Sequence, residues 1–297
     1  MDRDTFIITV YCLVVEHYHA LAAVFQIRCG GFAPALSDEE VITMEICGEY
    51  FKFSIDKDLF SYFSSHYRHF FPALADRPAF VRQAANLWQI KAAIQRRIVA
   101  QSGQLDDPVQ AIDTLPLPVC TYTRAFRDRC FKTLADFGHC AAKKMDYYGF
   151  KLGLRISRIG MITHYPLLAA RPHDINHLDA LVEDFTGLVP ADKGFIDEYR
   201  QDLLAVRHQI KIVTPVRSDM SENQPHSLIK ASARWRKLIE TVGSHLTERF
   251  GIARIRVHDI WHYQHRIIRK VLAHTMVVYI NLQLGRSPLD IDGLVVA

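Results

Sequence analysis

Apolar residues at three- and four-residue steps dominate the first hundred positions. VYCLVVEHYHALAAVF, from Val10, and SDEEVITMEICGEYFKF, from Ser37, both carry the helical period. Ser37 is the predicted N-cap of the second, with Asp38, Glu39 and Glu40 in its first turn. The same period runs from Asp58 to Val99, so residues 1–100 are predicted to form an all-α domain. Its core would be aromatic, built from Phe51, Phe53, Phe60, Tyr62, Phe63, Tyr67, Phe70 and Phe71. SGQLDDP interrupts the pattern, and residues 101–108 read as a linker.

Beyond the linker the period changes to two. A first strand is predicted at Val109–Val119, weakened by Pro116 and Pro118, whose missing donors should end the pairing soon after Asp113. In Tyr148–Ile156, Tyr148, Phe150, Leu152, Leu154 and Ile156 alternate with Lys151, Gly153 and Arg155. SRIG then turns the chain into MITHYPLL as an antiparallel neighbour. Asp174 is the predicted cap of a helix reaching Phe185. GLVPAD gives a fourth strand ending at Asp192, followed by a helix at Phe195–Val206 and a fifth strand at Ile210–Pro215. A long helix follows, with Trp235, Leu238, Ile239, Val242, Leu246 and Phe250 as its apolar stripe and Gly251 as its stop. The predicted order β-β-β-α-β-α-β-α makes 109–256 an α/β domain. Residues 257–297 read as a C-terminal helical extension packing on the core.

Composition supports globular domains, with 49% hydrophobic and 23% charged residues among 297. The net charge of +4 is mild, but its distribution is uneven. Arg234, Arg236, Lys237, Arg249, Arg254 and Arg256 crowd the long helix, and Arg266, Arg269 and Lys270 follow, a region that would suit a phosphate backbone. The apolar stretch Phe6–Phe25 is interrupted by Glu16, His17 and His19, which argues against a signal peptide or membrane span, so a cytoplasmic, nucleoid-associated protein with no membrane partner is expected. The six cysteines contain no CxxC pair and are expected as reduced thiols. Cys130, His139 and Cys140 match no common zinc spacing, and His258, His262 and His265, on one helical face among arginines, are expected in surface or backbone contacts. GxSxG, P-loop, HExxH and Rossmann glycine patterns do not occur.

Three carboxylates stand in costly places. Asp113 is the one charge in AIDTLPLPV, Asp192 ends a strand in LVPADKGF, and Glu240 projects from the flank of the long helix. A desolvated carboxylate needs a cationic or metal partner, since leaving it unpaired costs several kcal/mol. The plain alternatives are turn-capping aspartates and an Arg236–Glu240 surface pair at i,i+4.

On their strands and helix, Asp113, Asp192 and Glu240 resemble the DDE triad of transposases, more closely the 982 family of bacterial insertion sequences within the retroviral integrase superfamily. IDTLPLPVC, YYGFKLGL, RPHDINHLDAL, ADKGF and RWRKLIETVGSHLTERFGI resemble that family's motifs in the same order, over residues 110–256. Ala191 stands where the family has glycine, Gly153 where it often has histidine, and the first hundred residues match loosely. The resemblance implies an α/β fold, an RNase H-like mixed five-stranded sheet with flanking helices. It also implies two Mg2+ ions, for which Mn2+ can substitute, held by Asp113, Asp192 and Glu240 as catalytic and metal residues, with Asp113 bridging. DNA cleavage at element ends and transfer of the 3′-hydroxyl to target DNA would follow, with double-stranded DNA as partner and a homodimer by analogy. Lys193, Arg234, Arg236 and Lys237 are the candidate phosphate contacts, and residues 1–100 the candidate reader of the terminal repeats. Two alternatives stay open: an RNase H-like nuclease that cuts without joining, and a non-catalytic transposase-derived DNA-binding protein.

Overall fold

A computed structural model describes residues 1–28, 30, 33–140, 144–215 and 226–296, apart from the side chains of His226 and Ile229; Cys29 lies outside them. The first five helices are α1 (Arg3–Ala22), α2 (Asp38–Tyr50), α3 (Asp56–His66), α4 (Arg77–Asn86) and α5 (Trp88–Gln101). Strands β1 (Ala111–Thr121), β2 (Asp136–Cys140), β3 (Met145–Ile156), β4 (Ile162–His164) and β5 (Leu167–Ala169) follow. Then come α6 (Leu178–Leu181), β6 (Gly187–Pro190), α7 (Glu198–His208), β7 (Ile210–Val213), α8 (His226–Ser244) and α9 (Ile260–Gln283). By their contacts the residues form two units: Met1–Ser102 with Leu246–Ile252 and Asp259–Ala297, and Gly103–His245 with Ala253–His258.

In the first unit the described elements are helical. Ser37 caps α2 as the sequence predicts, in a capping box with Glu40: the Glu40 amide donates to Ser37 Oγ at 3.1 Å and the Ser37 amide to Glu40 Oε2 at 2.7 Å. Helix α2 is buried on nearly every side, so Glu45 and Glu49 lie in the core. Helix α9, expected to extend the catalytic domain, packs instead on α2, α4 and α5 and supplies the counter-ions. Arg269 bonds Glu49 at 2.5 Å and Asp56 at 2.9 Å, Lys270 bonds Glu49 at 2.7 Å, His265 bonds Glu45 at 2.8 Å, and Lys91 of α5 bonds Glu45 at 2.5 Å. Three residues counted in the basic C-terminal region therefore have another job: Arg269 and Lys270 are buried in this network, and Arg266 pairs with Asp56 at 2.6 Å. His265, expected at a surface, is buried in it too. Among the described residues α1 is the one helix long and apolar enough to cross a membrane, so length and composition do not support the exclusion drawn from Glu16, His17 and His19. One of its faces, carrying Phe6, Val10, Val14 and Leu21, is buried.

The second unit is built on β3. One edge of β3 pairs antiparallel with β1, and its other edge is shared end to end by β2, β5 and β4. Strand β2 was not foreseen, and MITHYPLL is two short strands because Tyr165 and Pro166 separate them. The pairing of β1 does not stop after Asp113 but runs to Thr121, through Pro116 opposite Lys151 and Pro118 opposite Gly149, with a bulge before Cys120. The reason lies in alternation. The Gln110 amide points away from β3, to Leu188 O at 3.0 Å, so residues 116 and 118 carry their missing donors on that same outer edge. Gly149 lets the backbones close up, since a methyl there would sit 2.2 Å from Leu117 O.

Strands β6 and β7 form a separate parallel pair, joined by one parallel bridge, Val109 to Leu188, to the segment that leads into β1. A single continuous five-stranded sheet was expected. Leu188 exchanges hydrogen bonds with Pro108 and Gln110, just before β1, whereas Gly187 and Ala191 bond toward β7; Pro190, on the β1 side, has no amide to continue that ladder. The helix predicted from Asp174 to Phe185 is one turn of 3-10 helix, Asp174–His177, followed by the single turn of α6. Around these elements Ile112, Leu178, Leu181, Val189, Phe195, Leu204 and Ile212 form one apolar core. Helix α8 packs on β1, β6 and β7, with Gly243 set close over Leu115: a methyl there would lie 3.1 Å from the leucine side chain.

Candidate active site

Strands β1 and β6 carry the two aspartates to one level. Their bridge joins Val109 to Leu188 in parallel, and Asp113 and Asp192 each lie four residues beyond it. Asp192 opens a 3-10 turn, Lys193–Phe195, after the buried Ala191 anchors the strand end through its amide to Val213 O at 2.9 Å. Helix α8 brings Glu240 to the same side, one turn before the Gly243–Leu115 contact. Its apolar stripe is buried at Ile239 and Val242 within this unit.

The electrostatics tie the group together. Asp113 is half-buried and its pKa is raised to about 7, first by loss of solvent and then by the charges of Asp174, Asp192 and Glu240; the Thr114 amide, donating to Asp113 Oδ1 at 2.7 Å, acts the other way. Asp192 is exposed and paired with Arg236, Nη2 to Oδ1 at 2.7 Å. Arg236 thus turns across to the aspartate and not to Glu240, its neighbour at i+4, and Glu240 is exposed. Asp174, read from sequence as a helix cap, makes no capping bond; its Oδ1 accepts from Thr114 Oγ1 and from Lys151 Nζ, each at 2.9 Å.

The other candidates fall in different places. Lys193 and Lys237 are exposed, and Arg234 lines a cavity of about 260 Å³ with Arg158, Trp235 and Leu238. Cys130, His139 and Cys140 do not gather: Cys130 Sγ lies 3.8 Å from His258 Nδ1, while His139 pairs with Asp146 at 2.7 Å. His262 pairs with Asp259 at the start of α9. The five cysteines among the described residues are free thiols. Among the described residues no three His, Cys, Asp or Glu side chains converge closely enough to hold a metal ion as they stand, so the carboxylates act on one another through charge, with Arg236 drawn onto one of them. Asp174 and Lys151 were missed as members of this group; the available signal was Lys151 itself, a lysine between the apolar Phe150 and Leu152 of β3.

Residues 103–260 match the family described as Transposase DDE domain, and the chain belongs to that family. Neither the comparison with curated proteins nor that with solved structures gives a match. The protein is a transposase, and DNA is the partner its family implies.

Proposed function

We propose that Asp113, Asp192 and Glu240 are the catalytic carboxylates of an insertion-sequence transposase that cuts DNA at the ends of its element and joins the freed 3′-hydroxyl to target DNA. The observation that carries this reading is geometric: Asp113 and Asp192 each lie four residues beyond the Val109–Leu188 bridge, and Arg236, one turn before Glu240 on α8, bonds Asp192 at 2.7 Å. The sequence of strands β2/β5/β4, β3, β1, β6 and β7, with α8 packed on β1, β6 and β7, is the support for an RNase H-like topology.

The donor set fits a divalent cation. Its oxygens are hard, and loss of solvent, with the neighbouring carboxylate charges second, raises the Asp113 pKa to about 7, a condition a cation would relieve. Asp113, Asp192 and Glu240 would hold Mg2+ or Mn2+, two ions in all, which when bound would activate water or a 3′-hydroxyl and stabilise the leaving oxygen. Arg236 stands in as counter-charge to Asp192; on release it is free to meet a phosphate. Lys193, Lys237 and Arg234 add positive charge on the same turn and helix and orient the backbone. Asp113 sits on a strand paired with β3 from Ala111 to Thr121, and so fixes the geometry the other two approach.

In this reading residues 1–100 read the terminal repeats, two copies of the chain bring two ends together, and the protein works in the cytoplasm at the nucleoid. Incubating the chain with duplex carrying the element's ends, a target plasmid and Mg2+ or Mn2+ tests the reaction. Nicks at the ends plus covalently joined plasmid products support it; nicks without joining favour the nuclease alternative, and binding without nicks favours the non-catalytic one.

A further inference from the structure

We propose that Asp174, held by Thr114 and Lys151, is the positioning carboxylate of this centre: it ties the strand of Asp113 to the loop of Asp192 and adds a fourth negative charge for the cation. The inference rests on the catalytic reading above.

Thr114 links the two aspartates directly. Its amide donates to Asp113 Oδ1 at 2.7 Å and its hydroxyl to Asp174 Oδ1 at 2.9 Å. From the other side Lys151, 8% exposed on β3, donates to the same Oδ1 at 2.9 Å and to Pro172 O at 2.7 Å. Asp174 Oδ2 faces the Asp192 loop, where a methyl built on Gly194 would meet it at 3.6 Å. One carboxylate therefore touches the catalytic strand and its neighbour and faces the loop that carries the second aspartate.

An ion pair whose lysine is buried and whose aspartate is half-buried gains little stability, because desolvating the lysine offsets much of the attraction. Keeping the pair here makes sense if the charge itself is used. Lys151 holds Asp174 in place at 2.9 Å, and the carboxylate adds to the negative potential into which a cation is drawn. Asp174 acts through its neighbours, as the outer partners of metal ligands do.

The test is Mn2+ binding to the full chain, read as free Mn2+ by electron paramagnetic resonance and paired with thermal melts, for wild type, Asp174→Asn, Thr114→Val and Asp113→Asn. Asparagine retains an acceptor for Thr114 and Lys151 and removes the charge. Asp174→Asn is expected to weaken Mn2+ binding roughly tenfold or more, with Thr114→Val weakening it less. Unchanged affinity in Asp174→Asn, with Asp113→Asn weakened, overturns the inference and leaves the catalytic reading standing. If Asp174→Asn does not fold, Thr114→Val decides, and its unchanged affinity overturns the inference. Wild-type affinity in Asp113→Asn, or no Mn2+ binding by wild type, overturns the catalytic reading with it.

Discussion

Asp113→Asn should make the metal-free chain more stable at pH 8 while leaving it nearly unchanged at pH 4. Asparagine is close to isosteric and can accept the Thr114 amide as Asp113 does. The aspartate pKa rises from 3.8 in the unfolded chain to about 7 in the fold. Between those values the unfolded chain releases a proton that the folded chain retains, so rising pH removes stability until the folded group ionises. Above pH 7 the loss is complete. A shift of about three units at about 1.4 kcal/mol each sets a ceiling near 4 kcal/mol, and water at this half-buried site brings the expected value to about 2 kcal/mol. Urea unfolding in EDTA, followed by tryptophan fluorescence at pH 4 and pH 8, measures the difference between the two chains. Trp235 on α8 reports on this unit. Titration of other groups is common to both chains and cancels. Parallel stability curves across this range would refute the reasoning, because neither loss of solvent nor the neighbouring carboxylates would then raise the Asp113 pKa.

Arg236→Met should tighten Mn2+ binding by freeing Asp192 and weaken DNA binding at low salt; unchanged Mn2+ affinity in titrations would show that the 2.7 Å pair does not compete with metal. Glu45→Ala leaves the buried Lys91 with no carboxylate partner, only the Ala84 carbonyl, and should cost about 3–5 kcal/mol; a melt within a few degrees of wild type would contradict this. Burial, followed by the nearby charge of Lys91, lowers the His265 pKa to about 4, from 6.5. The unfolded chain takes up that proton first as pH falls, so stability should be lost from about pH 6.5 toward 4. His265→Gln should flatten that slope in pH-dependent melts, and an unchanged slope would assign the acid sensitivity elsewhere.

The parts of the fold written in local chemistry could be read from the chain. Ser37 and Glu40 spell a capping box, β3 alternates along its length, and Gly251, at φ +61°, closes the Glu240 region as expected. What escaped reading depends on partners distant in sequence. Pro116 and Pro118 argue against a strand until it is known that their missing amides face away from β3. Arg269 and Lys270 read as surface charge because Glu45 and Glu49, their acceptors, lie more than two hundred positions earlier. Asp174 has the residue type and place of a helix cap, and only the fold turns its side chain to Thr114 and Lys151. At the candidate site Asp113 stood out as the one charge in an apolar, proline-bound strand, and Asp192 and Glu240 were singled out by their places at a strand end and on a helix flank. Arg236 was legible as a cation, not as the partner of Asp192.

Metal-dependent cleavage by wild type, Asp113→Asn, Asp192→Asn and Glu240→Gln, with DNA binding measured alongside, tests the central claim most directly. On duplexes carrying the element's ends, wild type should nick in Mg2+ or Mn2+ and not in EDTA, while each variant binds DNA and fails to cut. Variants that cut as wild type does, or a wild type that binds these ends and never cuts, would contradict it.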